Sequence, residues 1–479
     1  MAISIVLTGL AGLLPSNVLA NSGPTYWQGY PASEVMLVKE NSPIIVKNED
    51  LTFDFSDYEG RSYTIDGKVT ATYHMVNSTD QAQSVQMAFP VVAELASFKA
   101  SDVEITADGS SLPYEIYIGD VVENYRNNSE ENKKKAFDFE NIVGTISDKY
   151  YQAENFEIDE KGKLYTINVK PTTEQRVNFV VDFRFDYNKT KVFTKGFNRY
   201  ERSSDKVRIA AWCYEPETLE VYVLGEDIDI KISAFSDGEL KEKTDLFTHH
   251  IASQEMEVKS YLMKMATEDN DMGSNENEMA SVKQQNTKIL SEVQLYNMYA
   301  KTLDKYLEQG MGFSSDSVLT DQWRLRRIIA FVYTVEFPEN SEKEVTVNYN
   351  ITGTMDMRKT SKPLYYFDYI LNPAKKWSDF KNLNIKIITP KEAPYIVESS
   401  IQLEKTSDNT YVAFLESLPE DDLFFTLYSN EKVSKIDKSL GKVWRNLRYF
   451  APLLMGFGKI FTIIIVAILT VAVIRKRRK

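Results

Sequence analysis

Apolar and polar residues alternate through Val69-Thr70-Ala71-Thr72-Tyr73-His74-Met75-Val76. The same pattern returns in Val85 to Pro90, after the turn-rich Asn77-Ser78-Thr79-Asp80. A period of two puts alternate side chains on opposite faces of a strand, so both stretches predict half-buried β-structure. Val103 to Thr106 and Leu112 to Ile118 flank Asp108-Gly109, a dipeptide that favours a tight hairpin turn. Lys163 to Val169 and Arg176 to Tyr187 predict a further pair around Pro171, and Val207–Tyr214, Leu219–Leu224 and Ile228–Phe235 extend the series. Short strands with turn chemistry between them predict a β-sandwich over residues 24–245. Residues 124–160 interrupt it with Asn127-Asn128-Ser129-Glu130-Glu131-Asn132 and Lys133-Lys134-Lys135, which predicts a polar insertion with a short helix.

The period then changes. Val258, Tyr261, Leu262 and Met265 share one helical face, and Val282, Ile289, Val293, Tyr296, Ala300, Leu303 and Leu307 recur at three and four. Residues 253–310 therefore predict a helical hairpin, with Gly310 as its stop. Alternation resumes over residues 320–430 and predicts a second sandwich. A faint repeat links the two β regions. Pro171 precedes Val177–Val181 as Pro338 precedes Val345–Tyr349, and Pro216 leads to Ile230-Lys231-Ile232 as Pro373 leads to Ile385-Lys386-Ile387. The expected fold is mainly β: two immunoglobulin-like sandwich modules, an intervening helical hairpin and a C-terminal transmembrane helix.

The two ends of the chain have their own patterns. Residues 1–20 are almost wholly apolar, and Val18-Leu19-Ala20 has the small-residue spacing of a signal-peptidase site, placing cleavage between Ala20 and Asn21. No Lys or Arg precedes that run, which departs from the usual signal peptide. Near the other end, residues 451–474 are apolar apart from Lys459, and Arg475-Lys476-Arg477-Arg478-Lys479 follow at once. A membrane core of about 30 Å takes ~20 apolar helical residues, and the cationic tail should stay cytoplasmic. The expected topology is single-pass type I in the plasma membrane, with the bulk of the chain extracellular. Between them, residues 432–450 predict an amphipathic juxtamembrane helix. Ile436, Leu440, Val443, Leu447 and Phe450 form its apolar face, Lys435, Lys438, Lys442 and Arg445 the opposite one, and Trp444 stands with the cations as a membrane-interface residue.

Composition narrows the function classes. The 479 residues carry a formal net charge of −13, and without the five tail cations the balance is more acidic still, which disfavours nucleic-acid binding. One cysteine, Cys213, excludes an intrachain disulfide, and its apolar surroundings predict a buried structural thiol. The three histidines, His74, His249 and His250, are too few and too scattered for a histidine-rich metal site. No zinc-protease, P-loop, dinucleotide or nucleophile-elbow motif occurs, and the S-x-x-K matches lack their companion motifs. The acidic stretch 268–278 fails the EF-hand frame, because Ser274 falls where glycine is required and Ala280 where the last glutamate belongs. The residues following Leu418-Pro419 do not make a sortase pentapeptide, so the span is expected to stay as an anchor. No catalytic, cofactor or metal residue is expected. Tryptophans 27, 212, 323, 377 and 444 are dispersed, leaving a glycan-binding face open.

Ser22-Gly23-Pro24-Thr25-Tyr26-Trp27, the stretch Asn77 to Pro90, Phe337-Pro338-Glu339-Asn340-Ser341 and Tyr369 to Trp377 together resemble a family of exported, single-pass membrane-anchored β-rich surface proteins of Gram-positive bacteria. The resemblance covers most of residues 22–430 and implies the architecture, with no activity to carry over. The expected function is envelope adhesion, scaffolding or partner binding without catalysis. Two alternatives stand beside it: an accessory subunit of a membrane complex, docked through the helical hairpin, and a cell-wall hydrolase whose carboxylates only the fold brings together. Expected partners are membrane lipid at the C-terminal helix and an envelope polymer or a membrane protein.

Overall fold

The computed structural model describes residues 24–438, apart from 31, 34, 39–41, 61, 123–138, 268–284 and 436. The expected signal peptide with its Ala20–Asn21 junction, the acidic stretch 268–278, Lys442, Trp444 and Arg445, the membrane helix and the tail Arg475 to Lys479 lie outside the described residues. Within them no helix is long and apolar enough to cross a membrane. The protein is mainly β, and its described strands form five open sheets.

One sandwich is contiguous in sequence. Its first sheet runs in the order Phe247–Glu257, Lys161–Pro171, Glu217–Gly225, Thr190–Lys195 and Phe313–Ser315. Its second runs Arg199–Ser203, Lys206–Cys213, Val177–Arg184 and Lys231–Phe235. Alternation decides which side chains meet: Ile167, Val169 and Val221 from one sheet pack on Val177, Phe179, Val181 and Cys213 from the other. Cys213 is wholly buried there, as expected, and burial pushes its thiol up to about 12. The first sheet is covered on its far side too, by the helix Val258–Thr267, whose Tyr261 stacks on Tyr222 with ring centroids 4.2 Å apart. Burial on both faces explains why Val221 to Leu224 is an unbroken apolar run.

The remaining three sheets mix the two ends of the chain. The widest runs Glu404–Ser407, Thr410–Leu415, Leu383–Ile388, Ile45–Asp54, Asp66–Asn77, Ser341–Thr352, Val103–Ala107 and Ser110–Ser111. A second has Leu364–Ile370 and Leu423–Tyr428 at its centre, with Tyr26–Trp27 added at one end through Thr354–Asp356. The third runs Met36–Leu37, Gln83–Glu94, Arg326–Phe337 and Glu115–Val121. Phe53 joins the first two by edge-on contacts with Tyr369 and Phe425 at 5.4 and 5.2 Å, and Phe89 meets Tyr349 between the first and third at 4.7 Å. Strand pairing thus cuts across the expected division into 24–245 and 320–430. Residues 45–121 pair with residues 326–415, and the contiguous sandwich falls between them in sequence.

The expected pair around Pro171 is also different. Lys161–Pro171 and Val177–Arg184 lie in facing sheets, joined by a crossing turn, and Arg326–Phe337 and Ser341–Thr352 do the same around Pro338. That much of the repeat holds. Its second half does not: Lys206–Cys213, just before Pro216, and Lys231–Phe235 share a sheet, whereas Leu364–Ile370 and Leu383–Ile388 belong to different ones.

In place of a hairpin starting at 253, residues 247–257 continue as an edge strand and helix begins only at Val258. Tyr296, Ala300, Leu303 and Leu307 are buried as the period predicts, but Ile289 is exposed, since it ends a separate short helical segment, 285–289, that is out of phase with the helix Glu292–Gln309. Ser291 caps that helix by accepting from the Gln294 N–H at 3.2 Å, and Gly310 ends it. Asp304, on its buried face, accepts from the Glu154 and Asn155 N–H groups, each at 2.9 Å, and from the Tyr151 hydroxyl at 2.8 Å. Lys435 and Lys438 are exposed at the start of the expected juxtamembrane helix, where Ser434 and Asp437 cap each other reciprocally: the Asp437 N–H reaches Ser434 Oγ at 3.0 Å and the Ser434 N–H reaches Asp437 Oδ2 at 3.1 Å.

Candidate functional site

A cleft of about 640 Å3 opens where the three mixed sheets meet. Two antiparallel ladders end at its wall: Arg326 pairs with Glu94 on the last rung of one, and Thr352 with Asp66 on the last rung of the other. The N-terminal segment closes the third side. Trp27 sits opposite Met355 in a short ladder, and two residues later Gly29 passes so near the chain that a Cβ would lie 2.3 Å from the Thr352 carbonyl oxygen. Only glycine permits that approach. Thr354 fixes it, accepting from the Gly29 N–H at 2.8 Å and donating to the Gly29 carbonyl at 3.2 Å.

Aromatic faces and oriented polar groups line this cleft together. The rings of Trp27 and Tyr63 stand 5.8 Å apart at 31°, and both are exposed, at 37% and 59%. Side chains of that size normally bury themselves, so an exposed pair at a cleft mouth is a surface available for stacking. Below it, Asp66 accepts from the Ser62 hydroxyl at 2.8 Å and the Thr352 hydroxyl at 2.9 Å. Glu94 pairs with Arg326 at 3.0 Å, whose guanidinium lies 4.9 Å from the Tyr30 ring. The Gln28 amide nitrogen is buried without a hydrogen-bond partner. Beside the cleft, Arg358 forms a fork on Asp356, with Nε to Oδ1 at 3.0 Å and Nη2 to Oδ2 at 2.8 Å. Burial pushes the Asp356 carboxyl up, but the Arg358 bonds outweigh it and hold the group below the usual carboxylate range. The same guanidinium covers the Tyr26 ring at 4.0 Å.

Sheets, turns and a ring surface of this kind offer two things to a sugar: C–H faces pack on aromatic rings, and hydroxyls meet carboxylate, guanidinium and amide groups held in place. Among the described residues no group of three His, Cys, Asp or Glu side chains is arranged to hold a metal ion. His74 lies between Asp50 and Glu344, at 3.5 and 3.8 Å, on an exposed sheet face, and His249 and His250 are exposed on the edge strand. Trp27 is visible in the sequence as one of five dispersed tryptophans. Nothing local in the sequence marks Tyr63, Asp66, Glu94 and Arg326, which come together across more than 250 positions.

No protein-family model and no curated protein matches the chain. Among solved structures it is similar to one from Legionella pneumophila subsp. pneumophila, described as a "putative nutrient binding protein", at 10% identity and a TM-score of 0.30, over 85% of this chain and 73% of that one. A likeness at that level carries no argument about fold or function.

Proposed function

We propose that this is a membrane-anchored surface protein of a Gram-positive envelope that works by binding, and that the aromatic cleft holds a glycan of that envelope without turning it over. The observation that carries the reading is the exposed Trp27–Tyr63 pair above oriented hydrogen-bonding groups. The apolar run 451–474 with its cationic tail supports anchorage. In this reading the two main cores are two immunoglobulin-like modules, one contiguous and one threaded by both ends of the chain.

Asp66 and Glu94 line the same cleft, which favours a wall hydrolase as the second reading. Docking through the helices has less support, since Val258, Tyr261, Leu262, Met265, Tyr296 and Leu303 are turned into the core. The test is co-sedimentation of the full-length chain, in non-ionic detergent, with purified insoluble cell wall. Retention by the wall, weakened about tenfold by Trp27→Ala with Tyr63→Ala, supports the proposal, a loss of the size expected from removing a stacking surface. Soluble sugar fragments released by the wild type, and lost in Glu94→Gln, would replace binding with hydrolysis. Equal retention of wild type and variant would remove the cleft from the account.

A further inference from the structure

A second cleft, of about 670 Å3, lies between the helix Glu292–Gln309, the end of the strand Glu115–Val121 and the segment leading into Arg326–Phe337. Lys301, Lys305 and Arg327 line it against one carboxylate, Asp120. Lys301 and Lys305 are four residues apart and share a helical face, with both side chains exposed at the mouth. Arg327 forms the floor and is only 5% exposed. Its Nη2 donates to the Gln322 side-chain oxygen at 2.9 Å and to the Gln322 carbonyl at 3.3 Å, and its Nη1 to the Gly119 carbonyl at 3.4 Å. All of these acceptors are neutral, and Nε has no partner at all.

The fold builds this arrangement deliberately in the backbone. Arg327 faces Val121 and Ile329 faces Ile118, so Gly119 and Asp120 together oppose Ile328 in a β-bulge. Bulges bend a strand and re-aim its groups, and this one presents the Gly119 carbonyl to Arg327 and Asp120 to the rim. Gly119 is held close, since a Cβ there would lie 2.8 Å from the Thr145 methyl. Gln294 clamps the helix against the same strand by accepting from the Ile118 N–H at 2.9 Å. Burial pulls the Arg327 guanidinium down to about 10, with Asp120 and Tyr299 opposing. A buried charge with neutral acceptors is costly unless an anion compensates it. Here the walls are partly apolar, with Ile118, Val121, Met298 and Leu325, and the volume falls in the range of small-ligand pockets.

We propose that this cleft binds a small organic anion carrying a carboxylate or phosphate group, with Lys301 and Lys305 attracting it and Arg327 beneath it. The site is independent of the glycan reading. On a chain of net charge −13 a cationic concavity focuses the local field, so an anion is drawn to this point and away from the rest of the surface.

The test is calorimetric titration of the full-length chain in non-ionic detergent with three probes: citrate, sn-glycerol 3-phosphate and inorganic phosphate. Saturable binding of citrate or glycerol phosphate with a Kd below about 1 mM, weakening as salt is raised, is expected. The double charge reversal Lys301→Glu with Lys305→Glu changes only exposed positions and should weaken binding at least about tenfold. Arg327→Gln should abolish it. Should Arg327→Gln fail to fold, the lysine pair alone decides. Adding phosphatidylglycerol to the micelles separates two sources of the phosphate: a lipid headgroup that occupies this cleft lowers the apparent affinity for the probes, and a free solute site is unaffected. No saturable heat from any probe up to about 10 mM, or wild-type affinity in the lysine variant, overturns the proposal.

Discussion

The two clefts are nearly equal in size and differ in almost everything that decides what they hold. The aromatic cleft is open, built from strand ends, and offers ring faces beside carboxylates that already have partners. Its cationic counterpart stands on a helix locked into the core, and offers excess positive charge over a guanidinium with only neutral acceptors. A neutral, hydroxyl-rich chain gains little from the second and an anion little from the first. The contrast also concerns rigidity. One cleft depends on a short N-terminal ladder held at Gly29, the other on buried aromatic packing around Tyr299 and Trp323.

That difference can be broken from either side. The largest effect should come from Trp323→Ala. The indole is fully buried and donates to the Tyr299 hydroxyl at 2.7 Å, so its loss should cost about 3–5 kcal/mol, the range for large aromatic deletions in cores. The urea midpoint should fall, and anion binding should fail before wall retention does. Gly29→Ala should come next. Its Cβ would collide with the Thr352 carbonyl, and overpacking of this kind costs about 1–3 kcal/mol. Here retention by the wall should fall while citrate binding persists, the reverse of the first variant.

Acid should sharpen the comparison more gently. Burial raises the Asp304 carboxyl, but its bonds from Glu154, Asn155 and Tyr151 outweigh that and hold it below the usual range. A group lowered in the folded state contributes stability that is present above its unfolded value of about 3.9 and disappears as pH falls through the folded one. Thermal melts taken downward from pH 5 should therefore lose stability, and Asp304→Asn should flatten that dependence while lowering stability at neutral pH. The smallest effect belongs to Cys213. A buried thiol pushed up to about 12 should resist alkylation by iodoacetamide at pH 8 in the folded protein and react once urea unfolds it.

Much of the local structure was legible in the sequence. Asp108-Gly109 makes a tight turn with φ of 48° and 74°, values that favour these residue types, but it joins Val103–Ala107 to the short Ser110–Ser111, and the expected partner continues as Glu115–Val121 in another sheet. The face Val258, Tyr261, Leu262, Met265 is buried as its spacing demands, and Gly310 stops the helix that follows. Partnership between strands was not legible. The alternation of Val69–Val76 fits any neighbour with an apolar face, and its partners are Ile45–Asp54 and the distant Ser341–Thr352. Ile289 matched the helical period yet is exposed, because the chain breaks at Leu290-Ser291 between the segment 285–289 and the capped helix, and periodicity does not locate such a break as a cap does. Of the residues lining the two clefts, Trp27 stands out in the sequence as a tryptophan, whereas Arg327 reads as an ordinary strand residue until the bulge at Gly119 brings it under the lysines.

The central claim is that a neutral polymer and a small anion use different clefts, and one experiment addresses it directly. Wall co-sedimentation of the full-length chain should be measured for the wild type, for Trp27→Ala with Tyr63→Ala, and for Lys301→Glu with Lys305→Glu. Retention lost in the aromatic variant and kept in the lysine variant is the predicted result. Retention kept in the aromatic variant and lost in the lysine variant would contradict it, and would make wall binding an electrostatic property of the cationic cleft.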